Sequence, residues 1–378
     1  MSQKSCRVCG GAFYDDHLVY ENMPRAAQHF PTAEDVAQER GETLIIRQCS
    51  GCGVVQSTTD PVDYYRDVIR ATAFSPEMAD FRLKQYAELD KKYAFNTKRI
   101  IEIGSGAGEY LELMQQAGWK VWGLEHKEES VSAARSAGLQ IQKGYLDNPY
   151  FELENGPMEA FVCFNFMEHI PDLRPFLQAI SNNLVTGGLG LVEVPNFDLM
   201  LQRSMSTEFI ADHIYYFSAE TLKRTLEING FEILECNVIW HDYIISAVVR
   251  KRAELSLTEF VDHENRLREE LTAYLSAEDR GRVAIWGAGH QALATIILAR
   301  ISDSLEYIID SAPFKQNKFT PASHLPIYGP NILDDDPVDT ILIMAAAYSD
   351  EIASQIRTKY KNRFNLAILR ESGLEILK

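Results

Sequence analysis

Two cysteine pairs stand near the start of the chain, Cys6-x-x-Cys9-Gly10 and Cys49-x-x-Cys52-Gly53. Each Cys-x-x-Cys bends the backbone so that both sulfurs face one point. The glycine that follows permits the turn and frees N–H groups for the thiolates. Cys6, Cys9, Cys49 and Cys52 together make a tetrahedral sulfur site suited to Zn²⁺, with no position left for water, so the expected metal is structural. Four unrelated thiols or two redox pairs are the alternatives that the spacing leaves open. Cys163 and Cys236 lie in apolar runs and read as buried small residues.

A glycine-rich loop, Gly104-Ser105-Gly106-Ala107-Gly108, ends one apolar run and opens a helical stretch. Glycines there let the backbone approach a ligand closely. The spacing is G-x-G-x-G, whereas dinucleotide loops read G-x-G-x-x-G. Glu102 sets a carboxylate beside the loop, which discourages a pyrophosphate and suits the cationic amino-acid part of S-adenosylmethionine. Glu125 ends the next β-rich run, where a carboxylate can accept both ribose hydroxyls. Tyr145 and Leu146 follow the third run, and Phe164 and Asn165 end the fourth. All lie along the carboxyl edge, where open α/β sheets bind ligands.

His213, beside Asp212, is the leading candidate for proton transfer, because an imidazole titrates near neutrality and is the usual general base. The competing reading is a histidine packed against the aromatic run Tyr215-Tyr216-Phe217, and Tyr216 itself reads equally well as core. His169, next to Glu168, is the second candidate base. Tyr64 and Tyr65 either close over an acceptor pocket or pack a linker helix.

These groups need elements to carry them. Residues 61–95 read as a helical linker, with Leu83, Tyr86, Leu89 and Tyr93 at helical spacing. From 96 to 251 short β-rich runs alternate with helical stretches and finish in a strand pair, which predicts a doubly wound α/β sheet. A charged connecting helix covers 252–280. A second α/β alternation fills 281–378 and starts at Gly287-Ala288-Gly289-His290-Gln291-Ala292. That loop is G-x-G-x-x-A, and Asp310 ends its next strand, so read alone the lobe suggests NAD. With residues 1–60 as a zinc-binding domain, the fold class is α/β.

The 378 residues, 46% hydrophobic and 24% charged, describe an ordinary soluble protein of two or three domains. With 37 Lys and Arg against 54 Asp and Glu, the net charge is −17, which argues against nucleic-acid and anionic-membrane partners. No apolar run is long enough to span a membrane, and the opening residues lack a signal-peptide core, so a cytoplasmic location is expected. Either a monomer or a small homo-oligomer fits the charge.

Taken in order, CRVCG with CSGCGVVQ, IIEIGSGAGEYL, DHIYYFSAETL, and WGAGHQA with IIDSAPFKQNKFTPASHLPIY resemble one family across the whole chain. It is the family of three-part sugar C-methyltransferases. The resemblance implies an N-terminal zinc-binding domain, a central class I methyltransferase domain with a seven-stranded sheet, and a C-terminal Rossmann-like domain. It implies an S-adenosylmethionine-dependent methyltransferase acting on carbon of a nucleotide-linked keto-deoxysugar, through an enolate formed by a base. His213 matches the last histidine of the family's Tyr-His-Glu-His-x-x-Tyr-Phe-Ser segment, Tyr216 matches its tyrosine, and Asp212 replaces its Glu. Ile210 stands where the family has a tyrosine and Ala211 where it has a histidine, so O- or N-methylation of another carbohydrate or small molecule is the alternative. The resemblance gives the C-terminal lobe the nucleotide-sugar rather than NAD, with Gly287, Gly289, His290 and Asp310 in its loop and Lys315 and Lys318 toward phosphates. Tyr65 and His169 complete the expected substrate set. An NAD-dependent oxidoreductase and a non-enzymatic binding protein are the remaining readings.

Overall fold

A computed structural model describes residues 4–25, 30–67 and 75–377, which divide into two compact units, Met1–Ala253 and Glu254–Lys378. The first unit runs β1 (Phe13–Met23), β2 (Glu42–Cys49), β3 (Val55–Ser57), α1 (Pro76–Tyr93), β4 (Arg99–Ile103), α2 (Glu109–Gln116), β5 (Lys120–Glu125), α3 (Glu128–Ser136) and β6 (Ile141–Lys143). It continues with β7 (Met158–Phe164), α4 (Leu173–Asn182), β8 (Leu184–Pro195), α5 (Phe197–Arg203), β9 (Tyr215–Tyr216), α6 (Ala219–Ile228), β10 (Phe231–Ile239) and β11 (Ile244–Lys251).

Seven of these strands form one sheet in the order β10-β11-β8-β7-β4-β5-β6, with β11 antiparallel to both neighbours and the pairs from β8 to β6 parallel. This is the class I methyltransferase sheet. Its middle strands are buried on both faces, as their unbroken apolar runs require. Helices α1, α2 and α3 pack on one face, while α4 and α6 pack on the other. The strand order reverses at β4 and β7, so the loops after these strands diverge and leave a crevice at the carboxyl edge.

Helix α1 starts where its sequence signals it: the Ser75 hydroxyl accepts from Met78 N, and Pro76 takes the first position. The helix expected over 61–95 therefore begins at Pro76. Tyr65–Asp67 forms a single 3₁₀ turn, and 68–74 lie outside the described residues.

The cysteine-bearing segment builds a second, antiparallel sheet in the order β1-β2-β3-β9. Its last strand is contributed by the central region, with Val55 opposite Tyr216 and Gln56 opposite Tyr215. Residues 1–60 thus share a sheet with the segment that carries His213.

The second unit comprises α7 (Thr258–Leu275), β12 (Val283–Trp286), α8 (His290–Leu298), β13 (Tyr307–Ile309), β14 (Lys318–Phe319), β15 (Pro326–Tyr328), α9 (Ile332–Asp335), β16 (Thr340–Ile343), α10 (Ser349–Tyr360), β17 (Asn365–Arg370) and β18 (Gly373–Leu377). Parallel strands β15-β13-β12-β16-β17 form the middle of its sheet, and β14 and β18 close the edges antiparallel. Leu271 and Tyr274 seat α7 in this unit's own core.

Candidate active site

At the carboxyl end of β4 the glycine loop turns into α2 with Gly104, Gly106 and Gly108 all at positive φ. At Gly108 a Cβ would lie 2.2 Å from Leu139 Cδ1, so only glycine fits there. Glu125 holds the loop from the next strand: its Oε2 accepts from Gly106 N at 2.9 Å, and its Oε1 accepts from His126 N and Lys127 N at 2.9 and 2.8 Å. Oε2 keeps a lone pair for a ribose hydroxyl, whereas Oε1 already accepts two N–H groups. Glu102 is fully buried beneath the loop. A small cavity lies here, lined among others by Gly104, Glu125, His126, Tyr145, Leu146 and Phe166. These include two of the four post-strand positions that the sequence brings to this edge, Tyr145 and Leu146.

Asn165 follows β7 in the left-handed region and donates its N–H to the Glu193 carbonyl at 2.9 Å. Phe164 departs from expectation. Its ring points into the core, 4.2 Å from the Arg82 guanidinium and edge-on to Tyr110, so its side chain packs the interior instead of facing the cavity. Tyr65 sits on the cavity side, edge-on to Tyr145 at 5.9 Å. Arg66 lies over the Tyr145 ring at 5.1 Å and pairs with Asp147 at 2.7 Å.

The second cluster lies on the turn after β7 and the segment before β9. Ile214 N donates to the Glu168 carbonyl at 2.8 Å and stitches the two together. The His169 and His213 rings meet edge-on, 4.7 Å between centroids. His169 Nδ1 bonds the Asp212 carbonyl at 2.9 Å, which assigns its proton to Nδ1. Glu168 and Asp212 are buried, and one oxygen of each has no hydrogen-bond partner among the described residues. Burial, with the Asp212 carboxylate adding to it, pushes the Glu168 carboxyl up to about 8. Burial also lowers both histidines, His213 most strongly, so the rings are held neutral. A neutral imidazole is the form that can accept a proton or ligate a cation.

Tyr216 has a positioning role here. Its hydroxyl donates to the Ile210 carbonyl and accepts from Ile210 N at 3.3 and 3.2 Å, and its ring packs on Phe209. It therefore closes the loop that presents Asp212 and His213, which corrects its expected place in the chemistry.

The four cysteines converge as their spacing predicts. Cys6 Sγ is 3.6 Å from Cys52 Sγ, and Cys9 Sγ is 3.5 Å from Cys49 Sγ, with all four within 4.8 Å of one another. A tetrahedral Zn²⁺ with bonds of about 2.3 Å needs sulfurs nearly this far apart. Val8, Gly11, Gly51 and Cys52 direct backbone N–H groups at the sulfurs, and Gln56 Nε2 donates to Cys6 Sγ at 3.0 Å. The donor set fits zinc.

Comparison with known proteins bears on this edge directly. A family model described as a methyltransferase domain matches residues 73–236, and one described as the C-methyltransferase C-terminal domain matches 251–368. The C-methyltransferase NovU of Streptomyces niveus is 23% identical, over 92% of this chain and 90% of that protein. The chain is an S-adenosylmethionine-dependent methyltransferase that carries a C-methyltransferase-type C-terminal domain. A ubiquinone biosynthesis O-methyltransferase of Bordetella avium is 31% identical over 24% of this chain and 40% of its own length. Among solved structures, an S-adenosylmethionine-dependent methyltransferase from Clostridium acetobutylicum is 16% identical, covers 50% of this chain and 96% of its own, and has a TM-score of 0.39.

The methyltransferase's second unit also has a glycine loop. Gly287 sits at φ 118°, and a Cβ there would meet the Met344 carbonyl oxygen at 2.4 Å. Asp310 braces the loop by accepting from Ala288 N and Ala312 N, each at 2.8 Å. Lys315 Nζ reaches Asp310 Oδ2 at 2.8 Å and the Ala288 carbonyl at 3.0 Å. Asp310 and Lys315 therefore neutralise each other under the loop, whereas the sequence suggests one for a ribose and the other for a phosphate. Gly289 and His290 open α8, and His290 and Lys318 are exposed.

Sequence reasoning missed Arg66, Gln56 and Arg82. Nothing in their local pattern distinguishes them from surface polar residues, and only their contacts reveal them.

Proposed function

We propose that the methyltransferase acts on a carbon next to the keto group of a nucleotide-linked deoxysugar, with the proton removed at the Asp212–His213 pair and the methyl delivered from S-adenosylmethionine held by the 104–108 loop and Glu125. The observation that carries this reading is the meeting of two groups at one sheet edge. The cofactor-type loop follows β4, and a neutral imidazole pair beside two carboxyl groups, His169 buried and His213 half-buried, lies on the turn after β7 and the segment before β9. Removing a proton next to a carbonyl leaves an enolate whose carbon attacks the cofactor methyl. The likeness to NovU over nearly the full chain supports carbon as the acceptor. The glycine loop 287–292 of the second unit, exposed at Gly289 and His290 where α8 opens, supports a nucleotide-linked acceptor. The four-cysteine site holds structural zinc in this reading.

The test is His213→Gln. S-adenosylmethionine affinity should stay unchanged while turnover with a nucleotide-linked keto-sugar falls by about 10² or more. Unchanged turnover would remove His213 from the reaction. Mass and NMR analysis of the product distinguishes a new C–CH₃ group from an O–CH₃ group.

A further inference from the structure

We propose that Arg66 is a clamp on the cofactor, its guanidinium covering the adenine of bound S-adenosylmethionine from the 3₁₀ turn ahead of α1; the proposal rests on reading the carboxyl edge of β4 and β5 as the cofactor site. Arg66 lies outside 73–236, the stretch that the methyltransferase domain model matches, yet it lines the small cavity at this edge. The order of groups along the cavity fixes which part of the cofactor Arg66 meets. Glu102 lies buried beneath the glycine loop, on the side of the amino-acid chain, and Glu125 ends β5, where it takes the ribose. Beyond Glu125 the cavity continues to His126, Tyr145 and Leu146, past the ends of β5 and β6. Adenine and the amino-acid chain leave the ribose on opposite sides. The purine therefore belongs among His126, Tyr145 and Leu146, and Arg66 meets it there.

Three contacts hold the guanidinium. Its Nη2 donates to Asp147 Oδ2 at 2.7 Å, its Nε donates to the Tyr65 hydroxyl at 3.1 Å, and its carbon stands 5.1 Å from the centroid of the Tyr145 ring. Tyr145 is itself met edge-on by Tyr65 and His126, at 5.9 and 6.0 Å. Arginine has five N–H donors. Two are used in these contacts, and Nη1 donates to nothing among the described residues. Purine ring nitrogens accept hydrogen bonds, and the purine face attracts a guanidinium plane. The fork that Asp147 and Tyr65 hold thus offers adenine both kinds of contact. The positive sulfonium lies on the far side of the ribose, so the Arg66 charge meets the neutral base and not the cationic sulfur.

The same contacts do little for the fold. The Arg66 and Asp147 side chains are 41% and 53% exposed, and an ion pair this open to water adds little stability. A stacked arginine with a free nitrogen in the wall of a cofactor cavity is arranged for a ligand. Lysine is no substitute there, because a point charge has neither a plane to stack nor a fork of donors.

Calorimetric titration of the full chain with S-adenosylmethionine and with methylthioadenosine tests the clamp, since the second ligand keeps the adenosyl part and lacks the amino acid. Arg66→Ala should weaken both by the same factor, about tenfold. Arg66→Lys should fall close to Arg66→Ala. The unfolding midpoint of both variants without ligand should stay at the wild-type value. Unchanged affinity in Arg66→Ala, or a loss for S-adenosylmethionine that spares methylthioadenosine, would overturn the clamp. So would wild-type affinity in Arg66→Lys, or a loss of affinity that comes with a lowered midpoint. A wild type that binds S-adenosylmethionine keeps the cofactor reading whatever Arg66 does. A wild type that binds neither ligand ends that reading, and the clamp with it.

Discussion

Arg82 is the most exacting point in the first unit. It is fully buried on α1, and its Nη2 contacts Glu193 Oε2 of β8 at 2.6 Å. Gln85 links the pair, accepting from Arg82 Nη1 at 2.7 Å and donating to Glu193 Oε1 at 2.6 Å, while Ser246 Oγ donates to the same oxygen at 3.1 Å. The guanidinium also lies over Phe164 and Tyr110, at 4.2 and 5.0 Å. Arg82→Met removes the cation and leaves Glu193 buried with two neutral partners. Breaking one side of a buried pair costs about 3–5 kcal/mol. In a unit of this size, each kcal/mol lowers the midpoint by roughly 2–4 °C, so a fall of about 6–20 °C is expected.

The double variant Arg82→Met/Glu193→Leu should recover most of that loss, because replacing both members of a buried pair by apolar groups is often nearly neutral. The assay is thermal unfolding with and without S-adenosylmethionine; the transition that the cofactor raises belongs to the unit that binds it. A single variant within about 1 kcal/mol of wild type, or a double variant no better than the single, would refute the argument that the pair matters through its uncompensated charge.

Three further outcomes follow from single contacts. Glu125→Ala leaves Gly106, His126 and Lys127 N–H groups unpaired and should weaken S-adenosylmethionine about tenfold or more by calorimetry; unchanged affinity would take Glu125 out of the cofactor site. Cys49→Ser should lower bound zinc and the unfolding midpoint together, and normal zinc content would disprove the four-sulfur site. Glu159 is partly buried, which raises its pKa, but bonds from Thr97 Oγ1 and from Asn96, Thr97 and Lys98 N–H outweigh this and hold it below the ordinary carboxylate range. Its stabilisation is therefore present above about pH 4.3 and disappears as pH falls through the lowered value. Glu159→Gln should cost about 1–3 kcal/mol at pH 7 and flatten the acid limb of the stability curve; parallel curves would contradict it.

The central sheet and its loop were legible because each strand is a short apolar run bounded by its own turn, and the G-x-G-x-G spacing is local. The cysteine site was legible for the same reason, since each knuckle is four residues long. What the sequence obscures is long-range pairing. β9 is two residues long and carries no strand period of its own; it exists because Val55 and Gln56 offer an edge. Arg82 reads as a solvated helix position until Glu193, far along the chain, appears opposite it. The sequence suggests Phe164 for the cofactor edge because it ends a strand, and Tyr216 for the chemistry because it matches the tyrosine of the family segment, with core as its equal alternative. Their side-chain directions, fixed by Tyr110, Arg82, Phe209 and Ile210, turned them into packing residues.

The same long-range pairing explains what the cysteine segment contributes. Gln56 is fully buried, donates to Cys6 Sγ, accepts from Arg7 N at 3.1 Å, and lies opposite Tyr215 in the sheet. One residue on, Ser57 N donates to the Ile214 carbonyl at 2.8 Å, while Ile214 N is bound to the Glu168 carbonyl. A two-residue strand cannot hold itself. His213 is therefore fixed from two sides, by the turn after β7 and by a sheet anchored at the sulfurs. A metal held at those sulfurs would stiffen β3 and, through it, β9 and the segment that carries Asp212 and His213.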